Sequence, residues 1–275
     1  MSDLTALFLT VKLPVMTEVS KALVRSFQDE DISIGTIHSI VSKDPALTTK
    51  ILRMANSAGY RMPREVKSLE DAVSMVGLSQ IRTLALSACI NEAFPVISGL
   101  DRQEFWKNSM ACAGFSKWLA GGAGLDIQQA WLAGMMVRLG ELLIGEYDPS
   151  KLVEIERQPH IPGQRWRREQ ELLGYTETQV TAELARRWNF PEEIVQGLEA
   201  ASDPLNAKPF NPLGGVIHLA GWLAEMPFSE PIIIDAIPAD VIEALKLDPD
   251  WLRQAIPQPD SFFDISELSE ARELA

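Results

Sequence analysis

Apolar residues recur along this chain at intervals of three and four, the spacing that places side chains on one face of an α-helix. The spacing is clearest at 126–145, and it also predicts helices at 80–94, 101–120, 163–173, 176–189, 191–200, 211–225 and 238–246. A dense run of β-branched residues occurs only at 231–235. The pattern therefore predicts an all-α fold.

Several helix starts are marked by capping residues. Ser33 precedes an apolar segment, and Asp44 followed by Pro45 is typical of an N-cap and the first helical position. Ser68 and Asp71 have the spacing of a capping box, with aspartate in place of the commoner glutamate. These residues predict helices that begin directly after them.

The domain organisation is predicted from breaks in the helical pattern. A proline and a glycine interrupt residues 94–100, so we expect two helical lobes, at 1–97 and 98–230. The remaining residues, 231–275, form a C-terminal extension. Its tail, from residue 260, has the spacing of an amphipathic helix that docks on the core.

The amino-acid composition argues against nucleic acid as a binding partner. The chain has 275 residues, of which 46% are hydrophobic, and a net charge of −13. This is enough apolar material for a core, while a strongly acidic chain is a poor ligand for nucleic acid. Short basic clusters, Arg165/Arg167/Arg168 and Arg186/Arg187, lie among acidic residues. We expect them on solvated helix faces and predict no nucleic-acid partner.

The compartment is predicted from cysteines and hydropathy. Cys89 and Cys112 lie in apolar runs, as expected for buried free thiols in a reducing environment. The N-terminus has no basic region before its short apolar stretch, which is atypical of a signal peptide. No run approaches the ~20 apolar residues of a membrane helix. We expect a cytoplasmic protein without membrane association.

Catalytic motifs are sparse. The three histidines, His38, His160 and His218, stand in separate segments, and no His-Asp pair, G-x-S-x-G elbow or P-loop is present. The glycines at 121–124 follow a helix and are expected to end it. His218, within an apolar run, is expected to be a hydrogen-bonded core or boundary residue. The residues alone predict a helical protein without catalytic equipment.

Seven strings occur in a characteristic order along the chain: LPVMTEVSKAL at 13–23, IHSIVSKDPALTTKILRMANSAGY at 37–60, SLEDAVSMVGLSQIRTLALS at 68–87, FWKNSMACA at 105–113, WLAGMMVRLGELLI at 131–144, AELARRWNFPEEIVQGL at 182–198 and VIHLAGWLA at 216–224. Together they resemble one family, the HDOD domain, a bacterial signalling relative of the HD metal phosphohydrolases. The resemblance implies two helical lobes, of which the second, at 98–230, is similar to the helical core of HD hydrolases.

The resemblance also implies where the metal ligands of HD hydrolases would stand. Those positions fall on Asn108, Val137, Arg138, Glu177, Ala201 and Gly221. Valine and glycine side chains have no donor atoms, and a guanidinium is a permanent cation. The resemblance therefore implies a degenerate site with no metal, no cofactor and no catalytic residue.

Four further residues, Asp44, Pro45, Asn56 and Ser57, match the signature of the family. The match suggests a binding role for Asn56 and Ser57. The sequence Asn-Ser-Ala-Gly at a helix end is also ordinary capping, in which side chains bond the local backbone. We favour this structural role.

Arg138 lies on the inward stripe of its predicted helix, where an arginine is unexpected. One hypothesis places its guanidinium where the metal would be, paired with Glu177 and with Asn108 bonding nearby. The alternative has Arg138 reach solvent beside Glu141. Trp166, among arginines, is expected to be exposed.

The function predicted from the resemblance is a non-catalytic regulatory module in signal transduction, which binds a partner protein or a small ligand. The main alternative is an HD-type metal-dependent phosphohydrolase whose ligands are not recognised in the sequence. A purely structural scaffold is a third possibility.

Overall fold

The structure is a computed structural model that describes residues 3–27, 29, 32–56, 64–94, 97, 100–157, 161–226, 236–257 and 262. Every regular element in these ranges is a helix, which confirms the all-α prediction. Within the same ranges, no single helix is both long and apolar enough to cross a bilayer. The run at 231–235 and the tail beyond Phe262 lie outside the described residues.

The chain divides into two compact units. The larger unit comprises Met1–Leu13, Val96–Arg187 and Glu192–Pro259, and the smaller comprises Pro14–Pro95, Trp188–Pro191 and Asp260–Ala275. Helices of the smaller unit are α2 (Glu18–Ser26), α3 (Ile34–Val41), α4 (Pro45–Asn56), α5 (Leu69–Val76) and α6 (Leu78–Ala93). Those of the larger unit are α1 (Asp3–Thr10), α7 (Arg102–Ala123), α8 (Ile127–Met136), α9 (Leu139–Tyr147), α10 (Pro149–Arg157), α11 (Arg165–Leu173), α12 (Glu177–Arg187), α13 (Glu192–Ala200), α14 (Pro212–Ala224), α15 (Ala239–Ala244) and α16 (Pro249–Ala255).

In the smaller unit, α2, α3, α4 and α5 all pack against α6. The predicted caps are present. The Ser33 hydroxyl accepts a hydrogen bond at the start of α3, the Asp44 carboxylate accepts the Leu47 N–H at the start of α4, and Ser68 accepts the Asp71 N–H at the start of α5. Each satisfies a backbone donor that a helix N-terminus leaves unpaired.

The Asn56 side chain joins the end of α4 to a later part of the chain. Its Nδ2 donates to the Leu52 carbonyl at 2.9 Å and to the Val66 carbonyl at 2.8 Å, and its Oδ1 accepts the Val66 N–H at 2.7 Å. Asn56 therefore ties the C-terminal end of α4 to the backbone of Val66, which is a structural role. Ser57 lies outside the described residues.

In the larger unit, α7 packs against α8 and α14, and α12 packs against α9 and α13. Gly124, with a left-handed φ of 71°, ends α7, so the stop predicted within 121–124 is correct at Gly124, whereas Gly121 and Gly122 lie inside the helix. Helix α16 was not predicted from the sequence. It lies against α7, where the Trp251 ring stacks on Trp118 at a centroid distance of 4.8 Å.

The helix predicted at 126–145 is broken in the structure into α8 and α9, so this prediction is wrong in detail. The break falls at Val137 and Arg138. There the Thr181 hydroxyl of α12 donates to the Val137 carbonyl at 2.9 Å and accepts the Gly140 N–H at 2.8 Å. One side chain, more than 40 residues further along the chain, thus hydrogen-bonds a backbone carbonyl on one side of the break and a backbone N–H on the other.

Candidate functional site

Five charged side chains converge beside the break between α8 and α9, and we call them the buried ion cluster: Arg138, Glu141, Arg165, Glu169 and Glu177. Four of these side chains are at most 3% exposed, and Arg138 is 14% exposed. They come from the break itself, α9, α11 and α12. The cluster therefore joins three helices of the larger unit through charge rather than through apolar contact.

Arg165 contacts the most carboxylates in the cluster. Its Nε lies 3.0 Å from Glu169 Oε1 and 3.3 Å from Glu177 Oε2, and its Nη2 lies 3.1 Å from Glu141 Oε1. Its Nη1 donates to Glu156 on α10, whose side chain is 42% exposed. Arg165 thus pairs with carboxylates on α9, α10 and α12 as well as on its own helix.

Arg138 is the second cation. Its Nη2 donates to Glu141 Oε2 at 2.7 Å, and its Nε lies 3.9 Å from Glu177 Oε2. Glu177 lies within ion-pair distance, as the first hypothesis expects. Glu141 is the closer partner, as the alternative expects, but the Arg138 side chain is mostly buried instead of reaching solvent.

Trp166 packs beside the cluster and hydrogen-bonds one of its carboxylates. Its indole Nε1 donates to Glu177 Oε1 at 2.9 Å. Its ring packs so closely on Gly221 that a Cβ there would lie 2.9 Å from the Trp166 Cη2 atom. The prediction that Trp166 is exposed is wrong, because only 9% of the residue is accessible.

The basic cluster on α11 was predicted to lie on a solvated helix face, which is correct for Arg167 and wrong for Arg165. Arg167 is 80% exposed and pairs with Glu171 on the same face of α11. Arg165 is buried, and its i+4 neighbour Glu169 is buried with it. Successive residues of a helix point in different directions, so a run of arginines does not share one environment.

Two other predicted positions, Ala201 and Asn108, make no hydrogen bond or ion pair with the charged groups of the cluster in the described residues. The Ala201 carbonyl lies 2.8 Å from His218 Nδ1, and the His218 ring lies 5.4 Å from that of Trp166. Burial lowers the pKa of His218, as expected for a boundary histidine. Asn108, on α7, is half-buried, and among the described residues no hydrogen bond joins its side chain to the cluster.

Burial dominates the electrostatics of the carboxylates. It raises the pKa of Glu169 well above the usual value; the charge of Glu177 adds to this effect, and Arg165 opposes it. Burial also raises the pKa of Glu141, against the effect of Arg138 and Arg165. The two guanidiniums therefore compensate the burial of these carboxylates only in part.

The residues of the cluster do not fit a divalent metal ion. Glu141, Glu169 and Glu177 are each engaged by a guanidinium, and a metal ion there would lie beside two fixed positive charges. In the part of the chain that the structure describes, no three His, Cys, Asp or Glu residues have an arrangement suited to holding a metal. His160 lies outside that part.

Comparisons with known proteins place these features in a family context. A model of the HDOD domain family matches residues 13–204. A crystal structure of a Shewanella amazonensis SB2B protein described as a "putative phosphohydrolase" is 28% identical, with a TM-score of 0.75 over 92% of each chain. An HDOD domain protein of unknown function from Geobacter sulfurreducens shares the fold, at 23% identity and a TM-score of 0.70 over 97% of this chain and 93% of its own.

A curated relative covers less of the molecule. An uncharacterised protein of Treponema pallidum (strain Nichols) is 29% identical over 178 residues, which are 62% of this chain and 34% of the relative. The chain thus spans about a third of the length of that relative.

Proposed function

This chain belongs to the HDOD domain family, and we propose that it acts as a non-catalytic regulatory module in signal transduction. In this role it binds a partner protein or a small ligand. The buried ion cluster takes the structural place of a metal centre and links the helices around it. The protein has neither a metal nor a cofactor.

The observation that carries this proposal is the pair of guanidiniums among buried carboxylates. Arg138 and Glu177 stand at two positions where HD hydrolases have metal ligands by the resemblance, and they lie 3.9 Å apart. A guanidinium supplies positive charge but has no coordination position for water. It therefore cannot lower the pKa of a bound water or polarise a phosphoryl oxygen as a metal ion does.

One comparison favours a second candidate function. The Shewanella amazonensis relative is described as a "putative phosphohydrolase", which supports the alternative of an HD-type metal-dependent hydrolase with unrecognised ligands. The ion pairs of Arg165 argue against this alternative, because they engage the carboxylates that would otherwise be free to bind a metal ion.

A hydrolysis assay separates the two candidates. We expect the purified full chain to hydrolyse neither p-nitrophenyl phosphate nor bis(p-nitrophenyl) phosphate above the rate without protein, in the presence of Mn²⁺, Fe²⁺, Zn²⁺ or Mg²⁺. An HD phosphohydrolase with intact ligands serves as the positive control. Metal-dependent turnover that disappears in a Glu177→Gln variant would support the alternative.

The charge of the chain bears on the kind of partner. A net charge of −13 opposes association with the phosphate backbone of nucleic acid and with anionic lipid. The proposed partner is therefore a signalling protein or a small molecule, and neither nucleic acid nor a membrane.

A further inference from the structure

The buried ion cluster contains more negative than positive side chains. Arg138 and Arg165 face Glu141, Glu169 and Glu177, so the five groups would sum to −1 if all were ionised. The neighbouring Glu156 adds a further carboxylate at the solvent edge rather than a cation. An uncompensated buried charge is costly, and a carboxylate in that position takes up a proton instead.

The contacts identify the carboxylate with the least compensation. Glu141 contacts both guanidiniums, at 2.7 Å and 3.1 Å. Glu177 also lies within 4 Å of both, and it accepts the Trp166 indole N–H. Glu169 contacts only the guanidinium of Arg165, at 3.0 Å, and its other oxygen accepts the Glu177 backbone N–H at 2.7 Å.

We propose that the buried ion cluster retains one proton at neutral pH, held on Glu169, and that loss of this proton weakens the attachment of α11 to α9 and α12. The fold would then contain a pH-sensitive switch. Deprotonation of Glu169 creates a second buried negative charge beside Glu177. The repulsion between these two carboxylates weakens the ion pairs by which Arg165 holds α11 to α9 and α12.

Charged groups on every surrounding element bear on Glu169. Arg165 on its own helix favours ionisation, whereas Glu177 on α12 and Glu141 on α9 oppose it. Glu156 on α10 forms a further ion pair with Arg165. Arg138 pairs with Glu141 and Glu177 and not with Glu169 itself. The raised pKa of Glu169, due first to burial and then to Glu177, agrees with the contact geometry.

Infrared spectroscopy detects the proton directly. At pH 7 we expect the folded full chain to show the carbonyl band of a protonated carboxylic acid, because solvated carboxyls are ionised there. The band should disappear in Glu169→Gln and remain in Glu171→Gln, a control on the exposed face of the same helix. Absence of the band from the unmodified protein, or its persistence in Glu169→Gln, overturns the proposal.

The pH dependence of unfolding tests the consequence. A group whose pKa is raised on folding stabilises the protein below its unfolded pKa, and this contribution is lost as pH rises towards the folded pKa. From about pH 5 upward, this group alone should raise the unfolding equilibrium constant about tenfold per pH unit. The Glu169→Gln variant should lack this component, and Glu171→Gln should keep it.

Equal pH slopes in Glu169→Gln and the unmodified protein would contradict the switch. If Glu169→Gln does not fold, the infrared band of the unmodified protein still decides whether the proton is present.

Discussion

Replacement of Arg165 by methionine is expected to lower the free energy of unfolding by about 3–5 kcal/mol at pH 7. Methionine fills much of the same space but supplies no charge. Glu141 and Glu177 would keep only Arg138 as a cation, and Glu169 would lose the one guanidinium it contacts, while all three side chains stay at most 2% exposed. Stranding buried carboxylates costs far more than the net value of the pair. Urea denaturation followed by circular dichroism measures the change.

Arg167→Met is the matched control for this prediction. Arg167 lies two residues away on the same helix, is 80% exposed and pairs with Glu171, which is 61% exposed. Exposed pairs of this kind contribute under about 1 kcal/mol. Similar losses in the two variants would show that Arg165 is no more important than a surface arginine, which is contrary to the geometry of the cluster.

Gly140→Ala should destabilise the protein by about 3 kcal/mol, the upper end of the usual cost of overpacking, because backbone atoms leave no room for a side chain. A Cβ at this position would lie 2.1 Å from the Glu177 carbonyl oxygen. Neither partner can yield by a rotamer change, so α9 must move away from the start of α12. That movement separates Gly140 from the Thr181 hydroxyl and shifts Glu141 relative to Glu177. Thermal or urea unfolding gives the magnitude.

Gly121→Ala is the control for the effect of replacing a helical glycine by alanine where there is room for the new side chain. Gly121 lies within α7, is exposed, and would place a Cβ 3.9 Å from the nearest atom, Ile127 Cγ2. Alanine there should stabilise the helix by about 0.5–1 kcal/mol, since it restricts the unfolded chain more than glycine does. If Gly140→Ala were as stable as Gly121→Ala, the close approach of α9 and α12 would be incorrect.

Local sequence signals predicted most of the fold. The caps at Ser33, Asp44 and Ser68 and the stop at Gly124 depend on residues within a few positions of the helix end. The break in 126–145 could not be predicted in this way. It depends on Thr181, more than 40 residues further along the chain, which satisfies the backbone on both sides of the break.

The cluster was predicted in part. The resemblance identified Arg138 and Glu177, which the structure places within 4 Å of each other. Arg165 and Glu169 were missed, because charged residues four apart on a helix are most often a solvated pair. A signal was present in the sequence: Trp166, Glu169 and Leu173 share one face of α11 by their spacing, so a glutamate interrupts an otherwise apolar stripe.

Metal analysis of the purified full chain tests the central claim most directly. The chain is incubated with Mn²⁺, Fe²⁺, Zn²⁺ or Mg²⁺, free metal is removed, and the bound metal is measured by mass spectrometry. Because two guanidiniums engage the buried carboxylates, we expect far less than one metal ion per chain. One or more ions per chain, lost on substitution of Glu177→Gln, would contradict the assignment of a metal-free, non-catalytic module.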